Sequence, residues 1–401
     1  MISAIRATFN AQFSPEKYQQ YLSILNEPFK DSIPFRIAET PVFIDRVFKS
    51  QLLEAGDYIC QFITDPYFSA KTMHAIPKGM DIPNEKALPE CIVIDFAIAE
   101  GLNGKVIPQL IELQGFPSLF AFELFQAQAL EKVYDLPKNF SPFLNGYNQT
   151  SYFDFFKSMV LGDQGKHTIL LEIKPYKQKT RVDLLLTEAW FNVPIVCLSE
   201  IYLKDKSLFY QKNGVEFKIE RIYNRVVYDE LMQQSADLIN QFQLLEDAEN
   251  IDWVNHPHHF FRISKFILPL FNHPLIPEAY LLANWKDNKL GTELNLTEYI
   301  CKPLFSFGGQ GVMLDPTIAS LNAINEPENW VLQKKVSYAP IIETPSGPSK
   351  AEIRLFYFWD KALGRYVATN NLTRISKGPM IGVGYNNTAT WIGGSISYFE
   401  Q

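Results

Sequence analysis

Two adjacent residues, Asn103 and Gly104, place the strongest constraint on how this chain folds, because they separate two segments rich in Ile, Val and Phe, residues 92–99 and 105–113. Asn-Gly between two such segments is the strongest short-range signal for a β-hairpin with a two-residue type I′ turn, since both central residues of that turn need a positive φ angle. The turn also fixes which residues of the two strands face each other. The sequence therefore predicts a hairpin of defined register.

That register places two carboxylates opposite each other. Asp95 faces Glu112 on a pair without mutual backbone hydrogen bonds, where side chains lie closest. Facing carboxylates repel and destabilise a sheet, so a divalent cation is the natural compensation. Gln114 follows on the same face, and together the three side chains offer the oxygen ligands that suit Mg²⁺. The alternatives are an edge hairpin with both carboxylates in water, or a register displaced by one residue.

Composition narrows the class of protein. The 401 residues suffice for two or three domains, and a net charge of −7 argues against a general binder of nucleic acids or anionic membranes. We expect no membrane span and no signal peptide, because the chain lacks both a run of about 18 apolar residues and a basic segment leading into an apolar one. Its cysteines form no Cys-x-x-Cys pair, which favours buried thiols and a cytoplasmic protein.

The pattern of elements changes along the chain. Residues 1–75 predict mainly helices, and the hairpin follows. A strand, a helix and a second strand then predict a small α/β domain with a parallel core over residues 151–250. Residues 222–246 predict a helix that leads out of this domain. From about residue 250, short strands predict an α+β region of antiparallel pairs.

A second group of residues lies in the segment YICKPLFSFGGQGVML, residues 299–314. A predicted strand ends at Lys302, and Gly308, Gly309 and Gly311 follow. Glycines permit positive φ angles and a close approach of the backbone, so that N–H groups can bind phosphate oxygens, while Lys302 adds a cation. The segment is neither a Walker A loop nor a dinucleotide fingerprint, and a tight glycine turn is the alternative.

Further cations and an amide flank this segment. Lys265 starts an apolar segment before it, Gln333 lies in a predicted strand after it, and Arg354 and Arg374 come later. Together with the carboxylates, this inventory suits MgATP, with cations on the phosphates and oxygens on the metal. Gln333 would meet the adenine edge, with Lys334 or a backbone group as the alternative. Surface roles are the alternatives for the lysine and the two arginines.

A histidine-rich segment, NHPHHFF at residues 255–261, offers His256, His258 and His259. No cysteine or carboxylate lies at the spacing of a metal ligand set, so we expect a solvated loop.

The order of these segments resembles ATP-grasp enzymes, specifically the permuted branch of glutathionylspermidine synthetases and eukaryotic-type glutathione synthetases. The similar segments are the hairpin (94–118), RISKFILPLF (262–271), CKPLFSFGGQGV (301–312) and WVLQKKV (330–336). The resemblance implies an α+β fold, an ATP-grasp fold in permuted order with an inserted small α/β substrate domain. The implied parts are 1–150 with the metal-ligand hairpin, 151–250 as the inserted domain, 251–340 as the lid subdomain, and 341–401 as the return to the core.

The resemblance also implies a function, an ATP-dependent carboxylate–amine ligase that works through an acylphosphate. The partners would be ATP and small carboxylate and amine substrates, peptide- or polyamine-like, and relatives that are often dimers suggest a homodimer by analogy. The implied site consists of Asp95, Glu112 and Gln114 for Mg²⁺, with two ions allowed; Lys265, Lys302, Ser306, Gly308, Gly309, Gly311 and Gln333 for ATP; and Arg354 and Arg374 for the γ-phosphate or the carboxylate.

The chain departs from the family pattern at three places. Gln114 stands where the family has Asn, Val93 stands where an arginine is expected near the transferred phosphate, and the glycine loop lacks an arginine that glutathionylspermidine synthetases carry. Arg374 or Arg354 would substitute for the missing arginine, or the chemistry would be weakened. Gln114 and the missing loop arginine favour a nucleotide-binding protein that has lost ligation as a second interpretation. A kinase-like phosphotransferase on the same fold is a third.

Overall fold

The computed structural model describes residues 2–162, 165–290, 293–306, 308–378, 381 and 389–401. The α-helices are α1 (Ser3–Gln12), α2 (Pro15–Asn26), α3 (Arg46–Ile63), α4 (Phe68–Lys71), α5 (Phe120–Val133), α6 (Gln149–Leu161), α7 (Arg181–Phe191), α8 (Tyr228–Leu231), α9 (Ala236–Gln243), α10 (Pro257–Arg262), α11 (Leu282–Lys286) and α12 (Ile318–Asn322). Within these ranges, no helix combines the length and apolar composition that a membrane crossing requires.

The strands are β1 (Val42–Ile44), β2 (Cys91–Glu100), β3 (Val106–Gln114), β4 (Phe140–Ser141), β5 (Thr168–Glu172), β6 (Ile195–Cys197), β7 (Tyr202–Lys204), β8 (Ser207–Lys212), β9 (Val215–Lys218), β10 (Arg221–Asn224), β11 (Asp252–Val254), β12 (Ala279–Leu281), β13 (Tyr299–Pro303), β14 (Trp330–Lys334), β15 (Lys350–Asp360), β16 (Arg365–Ser376), β17 (Gly393–Ser395) and β18 (Ser397–Glu400). Helices follow strands in no single repeating order, and the sheets are partly parallel and partly antiparallel. The fold is therefore α+β.

The central sheet is antiparallel, with the strand order β17-β16-β15-β2-β3. Successive side chains of β2 point to opposite faces. Ile92 and Ile94 pack in a core with α3, whereas Val93 packs in a second core with α5. The sheet is therefore covered on both faces, which explains why nine of the ten residues of β2 are buried and why its sequence, CIVIDFAIAE, is apolar from Cys91 to Ala99 except at Asp95.

The hairpin turn has the predicted conformation. Asn103 and Gly104 have φ angles of 58° and 71°, and the N–H of Lys105 donates to the Leu102 carbonyl at 3.3 Å. The N–H of Gly101 then also donates to the carbonyl of Lys105, at 2.7 Å, so the strands leave the turn displaced by one residue from the predicted register.

A bulge at Ile111 cancels this displacement. Phe96 pairs with Leu110 and Asp95 pairs with Glu112, which leaves Ile111 without a facing residue on β2. The predicted pairing of Asp95 with Glu112 is therefore confirmed, although two opposite one-residue shifts lie between it and the turn. Bulges of this kind occur where a strand has to redirect its groups, often next to functional sites.

A parallel sheet in the order β11-β10-β5-β6 lies in the middle of the chain. The predicted strand–helix–strand order is confirmed by β5, α7 and β6. The helix predicted over residues 222–246 is partly wrong, because this stretch begins within β10, which lies between β5 and β11, and only then forms α8 and α9. The strand is buried on both faces, so its apolar residues carry no alternation that would separate it from a helix.

A third sheet, β12-β14-β13, is antiparallel and lies over the open edge of β3. The Leu110 N–H donates to the Leu275 carbonyl at 3.0 Å, and Gln333 Nε2 donates to the Leu110 carbonyl at 3.3 Å. These bonds use backbone groups that an edge strand otherwise leaves unpaired. Gln333, on β14, thus links the small sheet to the central sheet beside the bulge.

The histidine-rich segment is buried, so the prediction of a solvated loop is wrong. Each ring has a nitrogen within hydrogen-bond distance of a carbonyl oxygen of the loop 80–86: His256 3.1 Å from Pro83, His258 2.9 Å from Met80, and His259 3.0 Å from Lys86. The Glu85 carboxylate, 2.8 Å from His258 Nδ1, also accepts two bonds from Arg262. Helix α10 therefore fixes a long loop, a contact with residues more than 170 positions away.

This burial predicts acid sensitivity. Burial lowers the pKa of His259 to about 4, so between pH 6.5 and 4 the unfolded chain binds a proton that the folded chain does not. We expect the free energy of unfolding to fall between pH 7 and pH 5, by about 2 kcal/mol from this residue. Urea unfolding of wild type and His259→Gln at both pH values measures it. The variant should lose less stability than wild type, and the exposed His74→Gln control should behave like wild type. Equal losses in all three proteins would contradict the assignment.

Candidate functional site

A cavity of about 360 Å³ lies between the small sheet and the central sheet. Predicted site residues that line it are Glu112, Lys265, Lys302, Ser306, Gly308, Gly309, Gln333 and Arg374. Aliphatic side chains complete the walls: Ile300 from the small sheet, Val312 from the end of the glycine loop, and Val336 from the segment after β14. Cations together with apolar walls suit a ligand that combines a phosphate chain with an apolar planar group.

The other predicted residues do not line this cavity. Asp95, Gln114 and Arg354 lie behind the wall that Glu112 forms, and their contacts are described below. Gly311 ends the glycine loop with a φ angle of +74°, and a Cβ atom there would come within 2.8 Å of the Pro303 ring. Gly311 therefore allows the loop to fold back over the end of β13.

Lys302 is a buried cation held by two fixed acceptors. Its Nζ donates to Gln333 Oε1 at 2.8 Å and to the Ile111 carbonyl at 3.3 Å. That carbonyl belongs to the bulge residue, which faces no partner on β2. Burial lowers the pKa of Lys302 to about 8. The bulge thus supplies an acceptor that orients a lysine at the cavity wall.

Lys265 connects the glycine loop to the hairpin. It is 4% exposed, at the start of the 3₁₀ turn Lys265–Leu270, and so is not a surface lysine. Its Nζ donates to the Ser306 carbonyl and lies 3.9 Å from Glu112 Oε2. Burial lowers its pKa. Two lysines from separate segments therefore approach Glu112 from the cavity side.

Asp95 is fully committed to two arginines. Arg354 faces it directly on β15 and binds it with two bonds, Nε to Oδ1 at 2.6 Å and Nη2 to Oδ2 at 2.7 Å. Arg374, from β16, binds Oδ2 as well. Burial alone would raise the pKa of Asp95, but the two guanidinium groups outweigh burial and hold that pKa below its usual range. Arg354 Nη1 donates to Ser118 Oγ at 3.1 Å.

Glu352 is a further charged member of the site, beyond the residues that the sequence pattern predicts. It lies on β15 opposite Arg374, 2.9 Å from that guanidinium, and the Tyr338 hydroxyl donates to its other oxygen. Burial raises the pKa of Glu352. Glu352 and Arg354 are two residues apart on one strand, so their side chains lie on the same face of the sheet, and this spacing could have indicated that Glu352 belongs to the site. Tyr338 gave none, because it lies in an irregular segment.

The charged groups of the site nearly balance. Its carboxylates are Asp95, Glu112 and Glu352, and its cations are Lys265, Lys302, Arg354 and Arg374. Three negative and four positive groups leave one positive charge in excess. An anion entering the cavity therefore meets cations that are held in place by carboxylates, carbonyl oxygens and an amide oxygen.

The family resemblance implies Mg²⁺, and the three predicted ligands can be tested against it. Both oxygens of Asp95 accept bonds from guanidinium groups, and Arg354 Nη2 also lies 3.7 Å from Glu112 Oε1. Gln114 turns its Nε2 donor to the same Glu112 oxygen, at 3.0 Å. A guanidinium thus stands between the two carboxylates, and the donor set does not fit a divalent ion held by Asp95 and Glu112.

The bond between Gln333 and Lys302 predicts a stability effect. Gln333→Leu removes the acceptor of a buried lysine and the donor to the Leu110 carbonyl, so we expect a loss of about 1–3 kcal/mol in the free energy of unfolding. Gln333→Glu keeps an acceptor for Lys302 and should lose less. Denaturant unfolding of the two variants compares them, and a leucine variant as stable as wild type would show that the bond contributes nothing.

Comparisons with known proteins show a similarity at the level of structure. No family model matches the sequence, and no curated protein matches it. A solved structure of a glutathione synthetase-like effector, GSS30, from Globodera pallida in its apo form is similar over 98% of both chains, with a TM-score of 0.57 and 10% sequence identity. At that identity the similarity concerns the fold alone. This chain has the fold of a glutathione synthetase-like protein.

Proposed function

We propose that this chain binds ATP in the cavity between the two sheets and is an ATP-dependent ligase that joins a carboxylate to an amine through an acylphosphate. The observation that carries the proposal is the convergence of separate segments on one cavity: Lys265, Lys302, Arg374 and the glycine loop lie around the same space, although more than 100 residues separate the first from the third. The glutathione synthetase-like fold supports it.

On this proposal the fold is a permuted ATP-grasp fold. Residues 1–150 and 341–401 form the core with the hairpin, residues 251–340 form the lid subdomain, and residues 151–250 form an inserted substrate domain. The parallel sheet within residues 168–254 supports the inserted part, and the small antiparallel sheet of β12, β13 and β14 supports the lid.

The lysines would hold the phosphates. Lys302 and Lys265 face the cavity from two sides, and charge-assisted bonds to phosphate oxygens are among the strong ones. Gly308, Gly309 and Gly311 all have positive φ angles, which lets backbone N–H groups turn toward a ligand. Phe307 of this loop lies outside the described residues. The loop would close over the phosphates and exclude water, which protects an acylphosphate from hydrolysis.

The adenine base of ATP would be bound by neighbours of Gln333. The side chain of Gln333 bonds Lys302 and the Leu110 carbonyl, so its amide is already in use. Lys334, Lys335 and Val336 line the cavity next to it. On this proposal, Gln333 orients Lys302 toward the phosphates of ATP. The adenine base would contact the adjoining residues instead of Gln333.

The proposed reaction has two steps. An oxygen of the substrate carboxylate attacks the γ-phosphorus, the bond to the β-phosphate oxygen breaks, and ADP leaves. The amine then attacks the acyl carbon, loses a proton, and displaces inorganic phosphate. The contribution of the protein is to position the groups and neutralise charge, and Arg374, at the cavity wall, would bind the γ-phosphate or the carboxylate.

A second candidate function is nucleotide binding without ligation. The contact that favours it is the pair of hydrogen bonds from Arg354 to Asp95. These bonds occupy a carboxylate that the resemblance assigns to the metal. Loss of that ligand would weaken phosphoryl transfer while leaving the lysines and the cavity in place. Formation of ADP separates the two functions.

Binding is the first prediction of the proposed function. Isothermal titration calorimetry with a non-hydrolysable ATP analogue should show binding to wild type. Lys302→Met should raise the dissociation constant at least about tenfold, since a charge-assisted hydrogen bond to phosphate is lost. Lys206→Met is the control, because Lys206 is exposed and pairs with Glu249 away from the cavity. Equal affinities of the two variants would argue against a phosphate role of Lys302.

Turnover is the second prediction. Wild type incubated with ATP, a set of small carboxylates and a set of amines should release ADP together with an amide product, detected by mass spectrometry. ADP with a phosphorylated product and no amide would indicate a kinase-like transferase. Binding without ADP release for every pair would favour the second candidate function.

A further inference from the structure

The guanidinium of Arg354 lies between the two carboxylates that face each other on the hairpin. We propose that Arg354 replaces the divalent cation of this site, so that the triphosphate binds with an affinity that does not depend on Mg²⁺. This inference rests on the proposed nucleotide binding and concerns how the same site is charged.

The contacts of Arg354 are those expected of a fixed cation. Two of its nitrogens bind the two oxygens of Asp95, the third binds Ser118 Oγ, and Nη2 is 3.7 Å from Glu112 Oε1. Every nitrogen of the guanidinium thus has a partner. An arginine fork matches a carboxylate in two places at once, which holds it more firmly than a single point charge would be held.

The backbone sets this position. Arg354 and Asp95 are directly paired across β15 and β2, two inner strands of the central sheet. The Asp95 side chain is 1% exposed and the Arg354 side chain 12% exposed. A metal could enter between Asp95 and Glu112 only after Arg354 withdrew, and withdrawal would separate a buried ion pair, which is strongly unfavourable.

The charge balance points the same way. Mg²⁺ in a site of this type neutralises carboxylates and phosphates together, but here the three carboxylates already face four cations. The excess positive charge is available to the phosphates of a nucleotide. A bound divalent ion would add two further charges beside a guanidinium that cannot move away.

Arg374 provides a matched comparison. It also binds Asp95, but its second partner is Glu352 and it lines the cavity. Only Arg354 lies within 4 Å of both Asp95 and Glu112 among the ion pairs of the described residues. The same substitution at the two positions therefore removes one guanidinium from the same carboxylate, and only one of them opens the space between the carboxylates.

The experiment is titration with the non-hydrolysable analogue AMP-PNP, in EDTA and in excess Mg²⁺, on wild type, Arg354→Gln and Arg374→Gln. For wild type we expect dissociation constants within about threefold in the two conditions. Arg354→Gln should bind at least about tenfold more weakly in EDTA than in Mg²⁺, because a metal can now take the vacated place. Arg374→Gln should lose affinity equally in both conditions.

The outcomes separate this inference from the proposed function. Wild type that binds AMP-PNP only in Mg²⁺, or more than about tenfold better in Mg²⁺, overturns the role of Arg354 and leaves nucleotide binding standing. No binding in either condition overturns both. If circular dichroism shows that Arg354→Gln does not fold, the wild-type comparison decides alone, since it needs no variant.

Discussion

The ion pair between Asp95 and Arg354 is the interaction on which the rest of the site depends. A carboxylate buried at the centre of a sheet needs a fixed positive partner, and this one has two. Strand β2 lies between β15, which carries Arg354, and β3, which carries Glu112. Because both strands pair with β2 in a fixed register, the position of Glu112 relative to the Arg354 guanidinium is fixed as well. Arg374 extends the network to Glu352, and Lys265 closes it from the cavity. Asp95, Arg354, Arg374, Glu352, Glu112 and Lys265 therefore form one network of charged groups, and Lys302 lies beside it on the Ile111 carbonyl.

The sequence could predict one neighbour of β2 and not the other. The turn at Asn103-Gly104 is local chemistry, and it predicts that β3 pairs with β2, although the facing of Asp95 and Glu112 also depends on the bulge at Ile111. The strand on the other side, β15, follows some 250 residues later, and nothing in the local pattern states that it pairs with β2 or in which register. From the hairpin alone, two carboxylates face each other without a partner, and the pattern predicts a metal ion. The pairing with Arg354 supplies the compensating charge instead, which changes the chemistry expected of the site.

Two other differences between the predictions and the structure also arise because local sequence does not show contacts with distant segments. The sequence predicts a helix where β10 lies, because burial on both faces removes the alternation that distinguishes a strand. It predicts a solvated loop where the histidines of α10 lie, because their partners, the carbonyls of residues 80–86, are far away in the sequence. In contrast, eight of the predicted site residues line one cavity. Lysines, glycines and an amide are typical of a phosphate-binding site whichever strand carries them, and their chemistry is readable without knowing the sheet.

The bulge at Ile111 has a consequence for how such a hairpin can change in evolution. Deletion of this single residue would leave Leu110 facing Phe96 and Glu112 facing Asp95, because Ile111 faces nothing on β2. Most deletions within a strand reverse the two faces of everything beyond them, but this one would preserve every facing pair. It would remove only a carbonyl that holds Lys302 and one side chain of the cavity wall. The hairpin can therefore gain or lose a ligand-orienting group by a one-codon change, without rebuilding the sheet that carries it.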